Sequence, residues 1–149
     1  MGLEDRIMSD LKVAMKKKDQ AALRAIRAVK AAILVKKTDG SGDDIDEGVE
    51  IGILQKLVKS RKESLEIYQE QGRDDLAQVE IEEIEIITKY LPEQLDKSAI
   101  ETIVQQIISD TGASSMKDMG KVMGLANAKL AGKSDGKTVA MIVKKHLQT

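Results

Sequence analysis

Apolar residues recur along this chain at intervals of three and four, the spacing that lines one face of a helix. Leu3, Ile7, Leu11 and Met15 mark a first amphipathic helix. Asp19 is placed to cap a second, whose stripe is Ala22, Ile26, Val29 and Ile33. Residues 38–44 form a polar, glycine-containing loop. Asp44 and Glu47 have the spacing of a capping box at the start of a third, long helix, with Leu54, Leu57, Val58, Arg61, Leu65 and Tyr68 on one side. Gly72 stops it. Asp74 or Asp75 caps a fourth helix carrying Leu76, Val79, Ile84, Ile87 and Leu91, and Pro92 ends it.

Beyond Pro92 the helices become shorter. Asp96 caps one with Ile100, Ile103, Val104, Ile107 and Ile108, closed by Gly112. Ser115 to Asp118 reads as a capping box before Met116, Met119, Val122, Met123 and Leu130. Gly132 breaks that helix, and Asp135 caps a last one bearing Val139, Ile142, Val143 and Leu147. The predicted fold is all-α, in two domains. Residues 1–92 form a helical domain with a long hairpin, and residues 93–149 a small three-helix bundle.

Composition agrees with this pattern. The chain has 149 residues, no Phe, Trp or Cys, and one Pro, so its cores rest on aliphatic side chains and it holds no disulfide. The lack of Cys and of an N-terminal apolar run gives the expectation of a cytoplasmic protein with no membrane attachment. The net charge of −1 conceals a segregation. An acidic middle separates two basic ends, and after Ser115 seven lysines meet only Asp118 and Asp135.

Two constellations stand out. In the hairpin, Arg61 and Glu83 lie at about the same distance from the turn at Gly72 and Arg73, with Glu80 beside the same apolar seam. A carboxylate there needs a cationic partner, so Arg61, Glu80 and Glu83 are expected to form a structural ion network and not a catalytic dyad. His146, the single histidine, sits where a cation favours a helix C-terminus. No catalytic motif, metal-ligand set or cofactor-binding signature is found. The second constellation is the basic tail: Lys117, Gly120, Lys121, Lys129, Gly132, Lys133, Ser134, Gly136 and Lys137. Gly120 and Gly124 are one turn apart and leave a smooth face, first of all for another packed helix and otherwise for a nucleic-acid backbone. Gly132 and Gly136 flank a helix start and read either as ordinary turn residues or as a place where free amides attract phosphate. The lack of Phe, Tyr and Trp in this tail disfavours base stacking, and structured RNA held by its backbone suits the lysines better.

Lys59-Ser-Arg-Lys-Glu-Ser64, Gly72-Arg-Asp-Asp-Leu76, Glu80 with Glu83, Tyr90-Leu-Pro92, Met119-Gly-Lys-Val-Met123 and Gly132-Lys-Ser-Asp-Gly-Lys137 together resemble the YqeY family, nearly end to end. Its members are small proteins related to the tail of GatB, the B subunit of the glutamine-dependent amidotransferase that acts on misacylated tRNA. The resemblance implies a helical N-terminal domain, a three-helix tail that grips tRNA, and a family label of carbon–nitrogen ligase activity with glutamine as amido-nitrogen donor. Nothing in these 149 residues corresponds to the catalytic part of that enzyme. The expected function is a tRNA-binding accessory module without a catalytic centre of its own, working beside an amidotransferase or a tRNA synthetase. The alternative is a protein–protein interaction adaptor.

Overall fold

The computed structural model describes residues 2–40 and 44–148, and every regular element among them is helical. Seven α-helices follow in order: α1 (Leu3–Lys17), α2 (Gln20–Lys37), α3 (Glu47–Glu70), α4 (Asp74–Thr88), α5 (Lys97–Thr111), α6 (Met119–Lys129) and α7 (Gly136–Leu147). A 3₁₀ turn, Met116–Asp118, leads into α6. None of these helices is long and apolar enough to cross a membrane. The centre of the 38–44 loop, residues 41–43, lies outside the described residues.

The chain divides into two compact units, Met1–Leu91 and Pro92–Thr149. In the first, Ile7, Leu23, Ile26, Val29, Leu54 and Ile87 belong to one buried aliphatic cluster. α1 departs from its expected stripe. Met15 is 56% exposed, while Ala14 is buried. At about 100° per residue, each step of four drifts by about 40°, so the third step has left the face that Ala14 regains. α1 ends with Lys18 at φ 56°, and the Asp19 amide donates to the Ala14 carbonyl at 3.0 Å. Asp19 then caps α2, accepting from the Ala22 amide at 3.1 Å.

Three expected helix ends shift. The cap of α3 is Asp46, not Asp44; it accepts from the Val49 amide at 2.9 Å, and Ile45 packs against the core just before it. α4 has no carboxylate cap. Its N-cap is Arg73, with Asp74 and Asp75 inside the first turn. The preceding turn is closed by its own backbone: Arg73 N–H donates to Tyr68 O at 2.9 Å and Gly72 N–H to Gln69 O at 3.2 Å, with Gly72 at φ 68°. This pairing requires a left-handed residue at position 72, which glycine adopts without strain. Asp75 is taken up by Arg73, whose Nε and Nη2 donate to it at 3.2 and 3.1 Å. Finally, α4 stops at Thr88, and amides 89–91 tighten into bonds to the third residue before, well ahead of Pro92.

In the second unit Ile100, Val104, Val122, Ala126, Val139 and Val143 belong to a separate aliphatic cluster. Asp96 caps α5 by accepting from the Ala99 amide at 2.8 Å, and Gly112 ends that helix at φ 69°. Ser115 and Asp118 form a reciprocal capping box. The link between α6 and α7 is tied back to the start of the unit. Leu95 N–H donates to Lys133 O at 2.9 Å, and the Gln94 side-chain amide donates to Gly132 O at 2.6 Å.

Candidate nucleic-acid interface

α6 sorts its residues by angle. Val122, Ala126 and Leu130 are buried, whereas Gly120, Lys121, Gly124, Asn127 and Ala128 are exposed on the other side. The helical period explains the split: positions 120, 124, 127 and 128 fall within about 100° of arc, facing away from the buried three. Lys117, in the 3₁₀ turn, is exposed just before this face. A Cβ added at Gly120 or Gly124 would meet nothing within 4 Å. Neither glycine has a positive φ. Helix packing and backbone strain therefore explain neither residue. Each costs a helix about 0.8–1.0 kcal/mol relative to alanine.

The tail glycines differ from each other. Gly132 is buried at φ 76°, and its carbonyl is occupied by Gln94. It is a turn residue and presents no surface to a phosphate. Gly136 opens α7, is exposed, and has open space where a Cβ would stand. The N-cap Asp135 makes no side-chain cap bond, so it leaves the first-turn amides without that acceptor. Lys129, Lys133 and Lys137 are exposed, and Ser134 is half-buried with its hydroxyl 3.4 Å from the Asp135 carbonyl. None of Lys117, Lys121, Lys129, Lys133 and Lys137 makes an ion pair among the described residues. Lys145 does, reaching Glu101 at 3.4 Å, with the His146 Nε2 3.9 Å from the same oxygen. These two residues sit in the last turn of α7, where cations are favourable.

In the hairpin, the turn brings Arg61 of α3 opposite Glu83 of α4, with Nη2 to Oε1 at 3.8 Å. Their side chains are 17% and 12% exposed. Arg61 Nη1 also donates to the Leu57 carbonyl at 3.1 Å. Glu80 is left over. Its Oε2 is buried with no hydrogen-bond partner. Burial, then the neighbouring Glu83, push its carboxyl above the ordinary value of 4.5, against a smaller opposing pull from Arg61. Arg61 and Glu83 thus form the ion pair, and Glu80 stands beside it with a pull from Arg61 too small to offset its burial. Among the described residues no three His, Cys, Asp or Glu side chains are grouped so that they could hold a metal ion.

One polar cluster was not legible in the sequence. The Tyr90 hydroxyl donates to Asp10, eighty positions away, and the Arg6 guanidinium lies 5.1 Å above the Tyr90 ring. Burial, then the bond to Asp10, push the Tyr90 phenol well above its usual range, so it stays protonated as a donor. The signals present in sequence were the i, i+4 spacing of Arg6 and Asp10 on α1 and the scarcity of tyrosine; neither named the partners.

Residues 4–147 match the sequence profile of the Yqey-like proteins. Among curated relatives, the chain is similar to "Altered inheritance of mitochondria protein 41, mitochondrial" of three yeasts. The protein of Vanderwaltozyma polyspora is 32% identical over 76% of this chain and 64% of its own length. That of Lachancea thermotolerans is 39% identical over 57% and 46%. For that of Kluyveromyces lactis the figures are 34%, 70% and 57%. The chain thus spans about half to two-thirds of the relatives it matches. The expectation of a cytoplasmic location is overturned by these relatives, which are named as mitochondrial. Its basis was weak: lack of Cys separates reducing from oxidising surroundings, not one reducing compartment from another.

Proposed function

Because the chain belongs to the family of Yqey-like proteins, we propose that it is a tRNA-binding accessory module related to the glutamine-dependent tRNA amidotransferase, acting through its C-terminal unit. The observation that carries this reading is the exposed face of α6. Two glycines there weaken the helix and meet nothing, and Lys117 and Lys121 lie beside them without acidic partners. A face without side chains lets a sugar–phosphate backbone approach the helix closely, and unpaired ammonium groups beside it contact phosphates without reading bases. Lys133 and Lys137, on either side of the start of α7, add two more phosphate contacts. Ligase chemistry belongs to a partner enzyme, an amidotransferase or a tRNA synthetase whose substrate this module would present.

Gly120→Ala with Gly124→Ala separates function from fold. The double variant is expected to melt higher, by about 1 kcal/mol per site in stability, and to bind tRNA more weakly. Charge reversal at Lys133 and Lys137 should also weaken binding and flatten its salt dependence, since each lost phosphate contact removes about 0.7–0.9 from the log–log slope. Filter or fluorescence titration with total tRNA across a salt series reads both. Unchanged affinity in both variants would sink the assignment. Leu125 and Met141, 42% and 60% exposed in the same unit, support the adaptor as second reading. Capture of a protein that survives nuclease treatment and is lost on Leu125→Lys would favour it.

A further inference from the structure

The N-terminal unit carries a recess of about 270 Å³ between α1, the start of α2 and the end of α4. Its floor is apolar, with Ala14 and Ile26 buried and Ile86 half-buried. Its rim carries more cations than anions. Arg6, Lys17 and Lys89 are exposed around it, and none makes an ion pair among the described residues. By contrast, Arg24 and Lys37 of the same unit reach Glu82 at 3.0 Å and Glu4 at 2.6 Å.

The two carboxylates that share the recess are already engaged. Asp10 accepts from the Tyr90 hydroxyl, and Asp19 accepts from the Ala22 amide as the cap of α2. Both carboxylates keep their charge in these bonds, so the lining holds three cations against two anions and stays net positive. Arg6 is held against the Tyr90 ring at 5.1 Å, which restricts the guanidinium before anything binds.

We infer that this recess binds a small organic anion: a carboxylate or phosphate monoester carrying a compact apolar group. The head group meets the cations of the rim nearest it, and the apolar group covers the floor. An uncharged apolar molecule would leave the cations unused. A nucleic-acid backbone would leave the floor unused, since its phosphates run along the outside of the polymer. Concave sites with an apolar lining and a few convergent polar groups are where small ligands bind. This inference rests on no part of the tRNA reading.

Titration of ¹⁵N-labelled protein with phenyl phosphate and, separately, with benzoate, inorganic phosphate and tRNA tests it. At least one of the two aryl anions is expected to shift the amides of Ala14, Ala22 and Tyr90 saturably, with Kd of about 1 mM or tighter. The tighter of the two identifies the head group. Inorganic phosphate, which cannot use the floor, should bind about tenfold more weakly. Arg6→Gln with Lys89→Gln should weaken the aryl anion about tenfold. Ala22, half-buried in the lining, offers a way to fill the recess without changing charge: Ala22→Leu should weaken the anion as well, and spectra unchanged outside the recess show that the variants are folded. Absence of saturable shifts, equal affinity in folded variants, or shifts from tRNA or inorganic phosphate as strong as those from the aryl anions would overturn the inference.

Discussion

Glu80 shows how one under-compensated charge enters the stability of the hairpin. With a folded pKa above the unfolded value of 4.5, the folded protein holds this proton more tightly than the unfolded chain does. Its stabilising contribution is complete below about pH 4.5 and is lost as pH rises through the folded pKa. Glu80→Gln keeps the shape and removes the charge, so it should raise the melting temperature at pH 7 and leave it nearly unchanged at pH 4. Thermal melts at the two pH values check this; an equal gap at both would mean that the carboxylate charge is not the cause. Arg61 and Glu83 behave in the opposite way. Removing either leaves a partly buried charge without its partner. Arg61→Ala and Glu83→Ala should each cost about 1–3 kcal/mol. A double-mutant cycle by denaturant unfolding should give a coupling of about 0.5–1 kcal/mol. Additive costs would place the two effects in packing alone.

Helix ends in this chain follow two designs, which a pair of substitutions can tell apart. Asp19, Asp46 and Asp96 each accept a backbone amide three residues on. Asp135 occupies the same sequence position relative to α7 and makes no such bond. Asp19→Ala should therefore cost about 1 kcal/mol, and Asp135→Ala should stay within about 0.5 kcal/mol, both by chemical denaturation. A cost at Asp135 equal to that at Asp19 would contradict the geometry. Caps and stops were largely legible in sequence, because a cap reaches only three residues and an i, i+4 stripe only one turn. Asp19, Asp96, the box at Ser115 and Asp118, and the left-handed stops at Gly72, Gly112 and Gly132 stand where their side chains, or lack of one, would put them. The misplaced ends were those where a longer-range contact intervened. Ile45 against the core moved the start of α3, and Arg73 took Asp75 away from capping α4.

At the scale of the whole chain, the two aliphatic clusters share no residue. Each unit buries its own core, so fragments 1–91 and 92–149 should each fold, with helical circular dichroism spectra that sum to that of the intact protein. A fragment that is unfolded at 10 °C would mean that its core depends on the other unit. The amino-acid sequence by itself determined the all-α class and the order of seven helices. Those follow from apolar spacing, caps and breakers, each local enough to be read within a turn or two. Only the tertiary structure decided what the candidate residues face. It turned Gly132 inward as a turn residue, left Gly120 and Gly124 against open space, and gave Arg61 a direct ion pair with Glu83 while leaving the Glu80 Oε2 without a hydrogen bond. It also brought Tyr90 to Asp10 and Arg6 across most of the N-terminal unit. Such meetings depend on how helices rotate and stack on one another, and helical periodicity places a residue on its own helix without saying what stands opposite.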